Sequence, residues 1–108
     1  MVHDDPTAAD TVASIARAVP GVAALHPGMF GEVGTYLPGR RVTGVRIRDD
    51  RVEVHIAVAT GAPVRQTAAA VRSAVGAAMP DLPVDVTVEE IAPAPTNTAT
   101  DPTPQEDS

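Results

Sequence analysis

The stretch VRIRDDRVEVHIAV, residues 45–58, decides the fold because it specifies a β-hairpin together with its register. Apolar and polar residues alternate on both sides of Asp49-Asp50, which is the period of a strand with one buried face. A two-residue turn at Asp49-Asp50 makes apolar residues face each other on one side and opposite charges on the other. The predicted pairs are Val45 with Val54, Arg46 with Glu53, and Ile47 with Val52. A slip of one residue would expose the whole apolar set, so the sequence predicts this register.

Two helices and a further strand are predicted around the hairpin. The first helix begins at Asp5-Pro6, because aspartate caps a helix and proline suits its first position, and it ends at Pro20-Gly21. The second follows a break at Gly61-Ala62-Pro63 and ends at Pro80. The apolar stripe of the first helix is Val12, Ile15, Ala16 and Val19. The apolar stripe of the second helix is Val64, Ala68, Val71, Val75 and Met79. Residues 22–25 are a candidate short strand, and valines that alternate with polar residues predict a last strand over 84–89.

This order predicts an α+β fold. We expect a two-layer sandwich, α-(β)-β-β-α-β, with two helices on one face of a small mixed sheet. The strand–helix–strand segment favours parallel strands joined by a crossover. Residues 1–91 form the predicted single domain, and residues 92–108 form a tail rich in proline, threonine and acid that is predicted to be disordered.

Composition excludes several classes of function. The 108 residues contain no cysteine and only two aromatic residues, so disulfides are excluded and the core must be aliphatic. The net charge of −6 argues against a general nucleic-acid binder, which must neutralise phosphates. The N-terminus is polar and acidic where a signal peptide needs a basic start and an apolar run, and no apolar run is long enough to span a membrane. The sequence therefore predicts a cytoplasmic protein.

Residues 20–41 are predicted to be a long loop, and such loops are often functional. The loop contains both aromatic residues, Phe30 and Tyr36, beside Met29 and Leu37. The first interpretation is that these four side chains fold back and cap the core, since aromatic residues bury large areas. The alternative is that Phe30 or Tyr36 is exposed as an anchor for a partner.

Five of the eight basic residues lie within twelve positions. They are Arg40, Arg41, Arg46, Arg48 and Arg51. The first interpretation is a solvated sheet edge balanced by Asp49, Asp50 and Glu53. The alternative is contact with an anionic partner. In order of preference, this partner is another subunit's acidic surface, a lipid headgroup layer, or RNA. The candidate interaction surface is thus Phe30, Tyr36, Arg40, Arg41, Arg46 and Arg48.

No pattern in the sequence points to catalysis, a metal or a cofactor. The glycines of residues 28–34 are followed by a strand rather than by the helix that a phosphate-binding loop needs. The three histidines lack ligand spacing, and His55 is expected on the solvated sheet face. The serines lie on predicted helices or in the tail, without an oriented base. We therefore expect no catalytic, cofactor-binding or metal-binding residues.

The order and spacing of these elements over residues 8–91 resemble the alkaline-shock, envelope-stress-response protein family. The positions that carry the resemblance are Val19, Pro20, Gly21, Val22, Gly31, Tyr36, Gly44, Val45, Val54 and Val86 to Val88. The resemblance implies a small, non-enzymatic cytoplasmic protein that self-associates as a homo-oligomer. It also implies recruitment to the inner face of the cell membrane by a membrane-anchored partner and a role in cell-envelope homeostasis. The competing hypothesis is a small RNA- or nucleotide-binding domain that uses the Arg40–Arg51 patch.

Overall fold

The computed structural model describes residues 5–93, which form two helices and six strands. In chain order these are α1 (Asp5–Ala18), β1 (Val22–Leu25), β2 (Gly34–Leu37), β3 (Arg40–Thr43), β4 (Val45–Ile47), β5 (Val52–Ala59), α2 (Val64–Ala78) and β6 (Val84–Ala92). The α+β class, the order of the predicted elements and the mixed sheet are confirmed. The predicted tail lies outside the described residues from 94 onward, and β6 includes Ala92, one residue beyond the predicted domain boundary.

Strand β5 is the centre of the main sheet. One edge of β5 pairs antiparallel with β4 near its start and with β1 near its end, and the other edge pairs parallel with β6. The β4–β5 register is the predicted one, with Arg46 opposite Glu53. The Arg48 amide donates to the Arg51 carbonyl at 2.8 Å, which closes the two-residue turn at Asp49-Asp50.

The core between the helices and the sheet is aliphatic, as predicted, and Ile56 is its largest fully buried side chain. Its buried members are Ala9, Val12, Ala13, Ala16, Val19, Val42, Val45, Val52, Val54, Ile56, Val58, Val71, Val75 and Val84. One detail of the second stripe is wrong. Thr67 is buried on α2, whereas Val64, the first residue of that helix, remains 39% exposed.

The prediction of one long loop over residues 20–41 is wrong, because this segment contains β1 and most of a second hairpin, which spans residues 34–43. Strands β2 and β3 pair antiparallel around Pro38-Gly39, where Gly39 has a φ of +77°. Proline followed by a glycine of positive φ is a strong turn pair, and it was the available sequence signal. The Thr35 hydroxyl donates to the Val45 carbonyl at 2.6 Å and ties this small hairpin to β4.

Gly44 makes the bend at which the chain passes from β3 into β4. Its φ is +80°, and a Cβ atom there would lie 2.9 Å from the His55 carbonyl oxygen and 3.0 Å from the His26 amide. The His55 amide donates to the Gly44 carbonyl, while the His26 amide donates to the His55 carbonyl. Strands β1 and β3 therefore converge on one residue of β5, and only glycine fits there.

Within residues 5–93, neither helix is long and apolar enough to cross a membrane.

Candidate interaction surface

The segment of residues 27–33, here called the apolar loop, holds the most exposed large apolar side chains of the described chain. Phe30 is 88% exposed and Met29 is 85% exposed, and Tyr36 on the neighbouring β2 is 73% exposed. The interpretation that these three side chains cap the core is therefore wrong, and only Leu37 packs against the core. Phe30 and Tyr36 match the alternative, in which they are available to a partner.

The apolar loop is held by its own backbone rather than by its apolar tip. The Gly31 amide donates to the Gly28 carbonyl at 3.1 Å, and the Val33 amide donates to the Pro27 carbonyl at 2.9 Å. The Val33 side chain is buried and fixes the end of the loop. Phe30 thus stands at the tip of a closed turn, with its ring in solvent.

Arg41 joins the apolar loop to the β2–β3 hairpin. One terminal nitrogen of its guanidinium donates to the Gly31 carbonyl at 2.6 Å and to the Val33 carbonyl at 2.9 Å. The guanidinium carbon lies 5.2 Å from the centre of the Tyr36 ring, which is a cation–π distance. Arg41, predicted as part of a surface patch, is therefore a support for the loop that presents Phe30.

Arg40 forms a two-bond ion pair with Asp10 of α1. Its two terminal nitrogens donate to the two Asp10 carboxylate oxygens at 2.8 and 2.6 Å. These hydrogen bonds hold the pKa of Asp10 below, and that of Arg40 above, the ordinary value. Both side chains are about half exposed, so the pair fixes β3 against α1 with little net gain in stability.

The other predicted arginines lie on the face of the main sheet away from the helices, here called the open face. Arg46 donates to the Glu32 carbonyl at 2.5 Å and fastens the apolar loop to β4. Arg48 and Arg51 both bond the same Glu53 carboxylate oxygen, at 3.1 and 2.9 Å. Burial acts to raise the pKa of Glu53, but the bonds from Arg51 and Arg48 outweigh it and lower that pKa. Every arginine of the predicted patch is therefore bonded within the chain.

Two histidine–glutamate pairs, which sequence reasoning missed, occupy the open face near its junction with the apolar loop. His55 Nδ1 lies 2.5 Å from the Glu89 carboxylate, and His26 Nε2 lies 3.4 Å from Glu90. The Gly28 amide donates to His26 Nδ1, so in the neutral ring Nε2 carries the hydrogen that faces Glu90. His55 is on the predicted face but only 17% exposed. Over residues 5–93, no group of three or more histidine, aspartate and glutamate side chains is arranged to hold a metal ion.

Two concave regions border β1, one along the strand and one at its start. A groove of about 530 Å³ runs between β1 and β3 beneath α1, and Arg17, Arg40 and Asp10 are among its lining residues. A second, apolar pocket of about 350 Å³ lies where β1 begins, between Pro20 and Pro63. The sequence signalled the second pocket only as two breaks between elements, at Pro20-Gly21 and Gly61-Ala62-Pro63, because their spatial contact depends on the β1–β5 pairing.

Comparison with known proteins identifies the fold alone. No protein-family model matches the chain, and no curated protein matches it. Among solved structures, a variant of MamM CTD is similar, with a TM-score of 0.51 and 16% sequence identity over 96% of this chain and 98% of that one. This chain therefore has a fold similar to that of MamM CTD.

Proposed function

We propose that this chain is a non-enzymatic, self-associating interaction module that works in cell-envelope homeostasis, and that Phe30 on the apolar loop is its principal contact. The observation that carries the proposal is the exposure of Met29 and Phe30 on a loop whose backbone is closed and braced. Burying one such side chain against a partner stabilises a complex by roughly 1.5 to 3 kcal/mol relative to leaving it exposed to solvent. A braced loop also loses little conformational entropy on binding.

The surrounding charges support an interaction role. The Asp10–Arg40 pair and the Arg48–Glu53–Arg51 cluster fix elements to one another, and Arg41 and Arg46 fix the apolar loop. These side chains thus stabilise the surface from which Phe30 and Met29 project. In a binding hot spot a few anchor side chains supply most of the binding energy, and the contacts around them mainly exclude water.

The link to the envelope rests on the resemblance to the alkaline-shock, envelope-stress-response family. Under this proposal a membrane-anchored protein recruits the assembled module to the membrane. The test is capture of detergent-solubilised membrane proteins on the immobilised chain, with a Phe30→Ser chain as the matched bait. Recovery of one transmembrane protein by the wild type supports recruitment, and identical recoveries on the two baits count against a role for Phe30 in it.

Self-association is tested separately by light scattering after size-exclusion chromatography. We expect the mass to rise above the monomer's 11.1 kDa as the concentration increases. A constant monomer mass up to millimolar concentration would refute self-association.

A further inference from the structure

We infer that the chain assembles head to tail, with Phe30 of one copy inserted into the apolar pocket beside Pro63 of the next. This inference rests on the proposed self-association and adds its geometry. It commits the pocket to one occupant, a second copy of this chain. Four observations support it: the pocket's size and lining, the rigidity of the loop, the positions of the two features, and the charges around them.

The pocket has the size and chemistry to hold a phenyl ring. Its volume is about 350 Å³, and its lining includes Pro20, Ala62, Pro63 and Ala70. A cavity of about 150 Å³ with an apolar lining is enough to bind benzene. Gly21 keeps the floor of the pocket close to α2, because a Cβ atom there would lie 2.6 Å from the Thr67 hydroxyl oxygen.

The loop and the pocket lie at opposite ends of β1. The pocket includes Gly21, which precedes Val22, whereas the apolar loop follows Leu25 and His26. Strand β1 spans about 13 Å at the usual rise per residue. The loop is closed on itself through Val33 and Pro27, so Phe30 is held at its own end of the strand. A copy therefore does not fill its own pocket, and a contact between unlike surfaces propagates from copy to copy.

The charges beside the two surfaces are complementary. Glu32 is exposed two residues after Phe30, and Arg65 is exposed on the first turn of α2, next to the pocket residue Gln66. The first turn of α2 contains no acidic residue, and its N-cap, Pro63, makes no side-chain capping bond. A carboxylate brought to this helix start gains from both the helix dipole and Arg65. Glu32 of the inserted loop supplies that carboxylate.

The first experiment tests the two surfaces singly. Phe30→Ser removes the inserted ring, and Ala70→Glu places a charged side chain in the pocket opposite the incoming Glu32. The controls are Ile91→Ser, which removes another exposed apolar side chain, and Ala69→Glu, which makes the same change on the exposed neighbour of Ala70. We expect both test variants to stay at the monomer mass under conditions where the wild type and both controls exceed twice that mass. Circular dichroism checks that all variants are folded.

The second experiment mixes the two test variants. A Phe30→Ser copy keeps its pocket and an Ala70→Glu copy keeps its ring, so an equimolar mixture restores one contact and stops there. We expect a heterodimer of twice the monomer mass that does not grow further. If the wild type associates but the mixture stays monomeric, or if Ala70→Glu associates like the wild type, the head-to-tail contact is wrong while self-association stands. If the wild type itself stays monomeric at every concentration, self-association is refuted as well.

Discussion

Ile56 and Phe30 are both large apolar side chains, yet the first is fully buried and the second is 88% exposed. Hydrophobicity predicts burial for both, and in the sequence only the strand alternation over residues 52–58 distinguishes Ile56 from Phe30. The difference arises because Ile56 alternates in step with β5, whereas Phe30 lies in a turn closed between Pro27 and Val33. Burial of Phe30 was the wrong prediction at this scale because the turn directs Val33, not Phe30, into the interior.

Substitution by alanine is expected to affect stability very differently at these two positions. Phe30→Ala should change the free energy of unfolding by less than about 0.5 kcal/mol, as for a surface site. Ile56→Ala should lower it by about 2 to 5 kcal/mol, because a cavity forms in the core. Urea unfolding of monomeric protein measures both values. A loss of about 3 kcal/mol on Phe30→Ala would mean that the ring packs in solution.

Gly44 gives a second prediction for a single residue. Gly44→Ala should lower the free energy of unfolding by about 2 kcal/mol or more, because positive φ and contact with the His55 carbonyl act together. The matched control is Gly39→Ala, where φ is +77° and the space for a Cβ atom is open, so only the backbone cost of about 1 kcal/mol remains. Equal losses in the two variants would show that the approach of β1 and β3 is not tight at Gly44.

At the scale of elements, the hairpin of β4 and β5 was predicted to the residue, whereas the hairpin of β2 and β3 was missed. The first has strict alternation and charge pairs that fix one register. The second has the sequence GTYLPGRRVT, whose two arginines and exposed Tyr36 break the apolar alternation. Pro38-Gly39 marks its turn, but the contacts that hold this hairpin to the rest of the fold, Arg40 to Asp10 and Thr35 to Val45, are not visible in local sequence patterns.

The cluster of Arg48, Arg51 and Glu53 predicts a pH dependence for the β4–β5 hairpin. The pKa of Glu53 is lower in the folded chain than its ordinary value of 4.5, so its ionised form favours folding. This contribution is complete above the unfolded pKa and is lost as the pH falls through the folded pKa. Glu53→Gln should therefore be less stable than the wild type at neutral pH, and the gap should narrow as the pH falls below 4.5. Urea unfolding at a series of pH values measures the gap, and a gap that stays constant down to pH values well below that point would contradict the prediction.

At the scale of the whole molecule, charge separates an interaction module from a nucleic-acid binder. The chain has a net charge of −6, and Arg40, Arg41, Arg46 and Arg48 all have partners within the described residues. The net charge follows from composition alone. The pairing of the arginines depends on how β3 and β4 lie against α1 and the apolar loop. The arginine cluster in the sequence therefore suggested more unpaired positive charge than the folded surface has.

We therefore predict that the chain does not bind RNA. A fluorescent single-stranded RNA should show no change in anisotropy at low salt up to about 100 μM protein, which is the weak end of non-specific nucleic-acid binding. Binding that weakens with added salt and is reduced by Arg48→Gln would reverse this conclusion. Arg72→Gln, on the exposed side of α2, is the matched control for the loss of one positive charge.

The parallel pairing of β5 with β6 has a consequence during synthesis of the chain. Strand β5 acquires β1 and β4 on one edge as soon as residues up to 59 have emerged, but its other edge waits for residues 84–92. The ribosome adds residues 60–92 at about 5 to 20 residues per second, so this edge stays unpaired for roughly 2 to 7 s. Until then a nascent chain carries both an open strand edge and the projecting Phe30. Neighbouring nascent chains on one messenger are thus most prone to pair wrongly in the interval between the completion of β5 and the completion of β6.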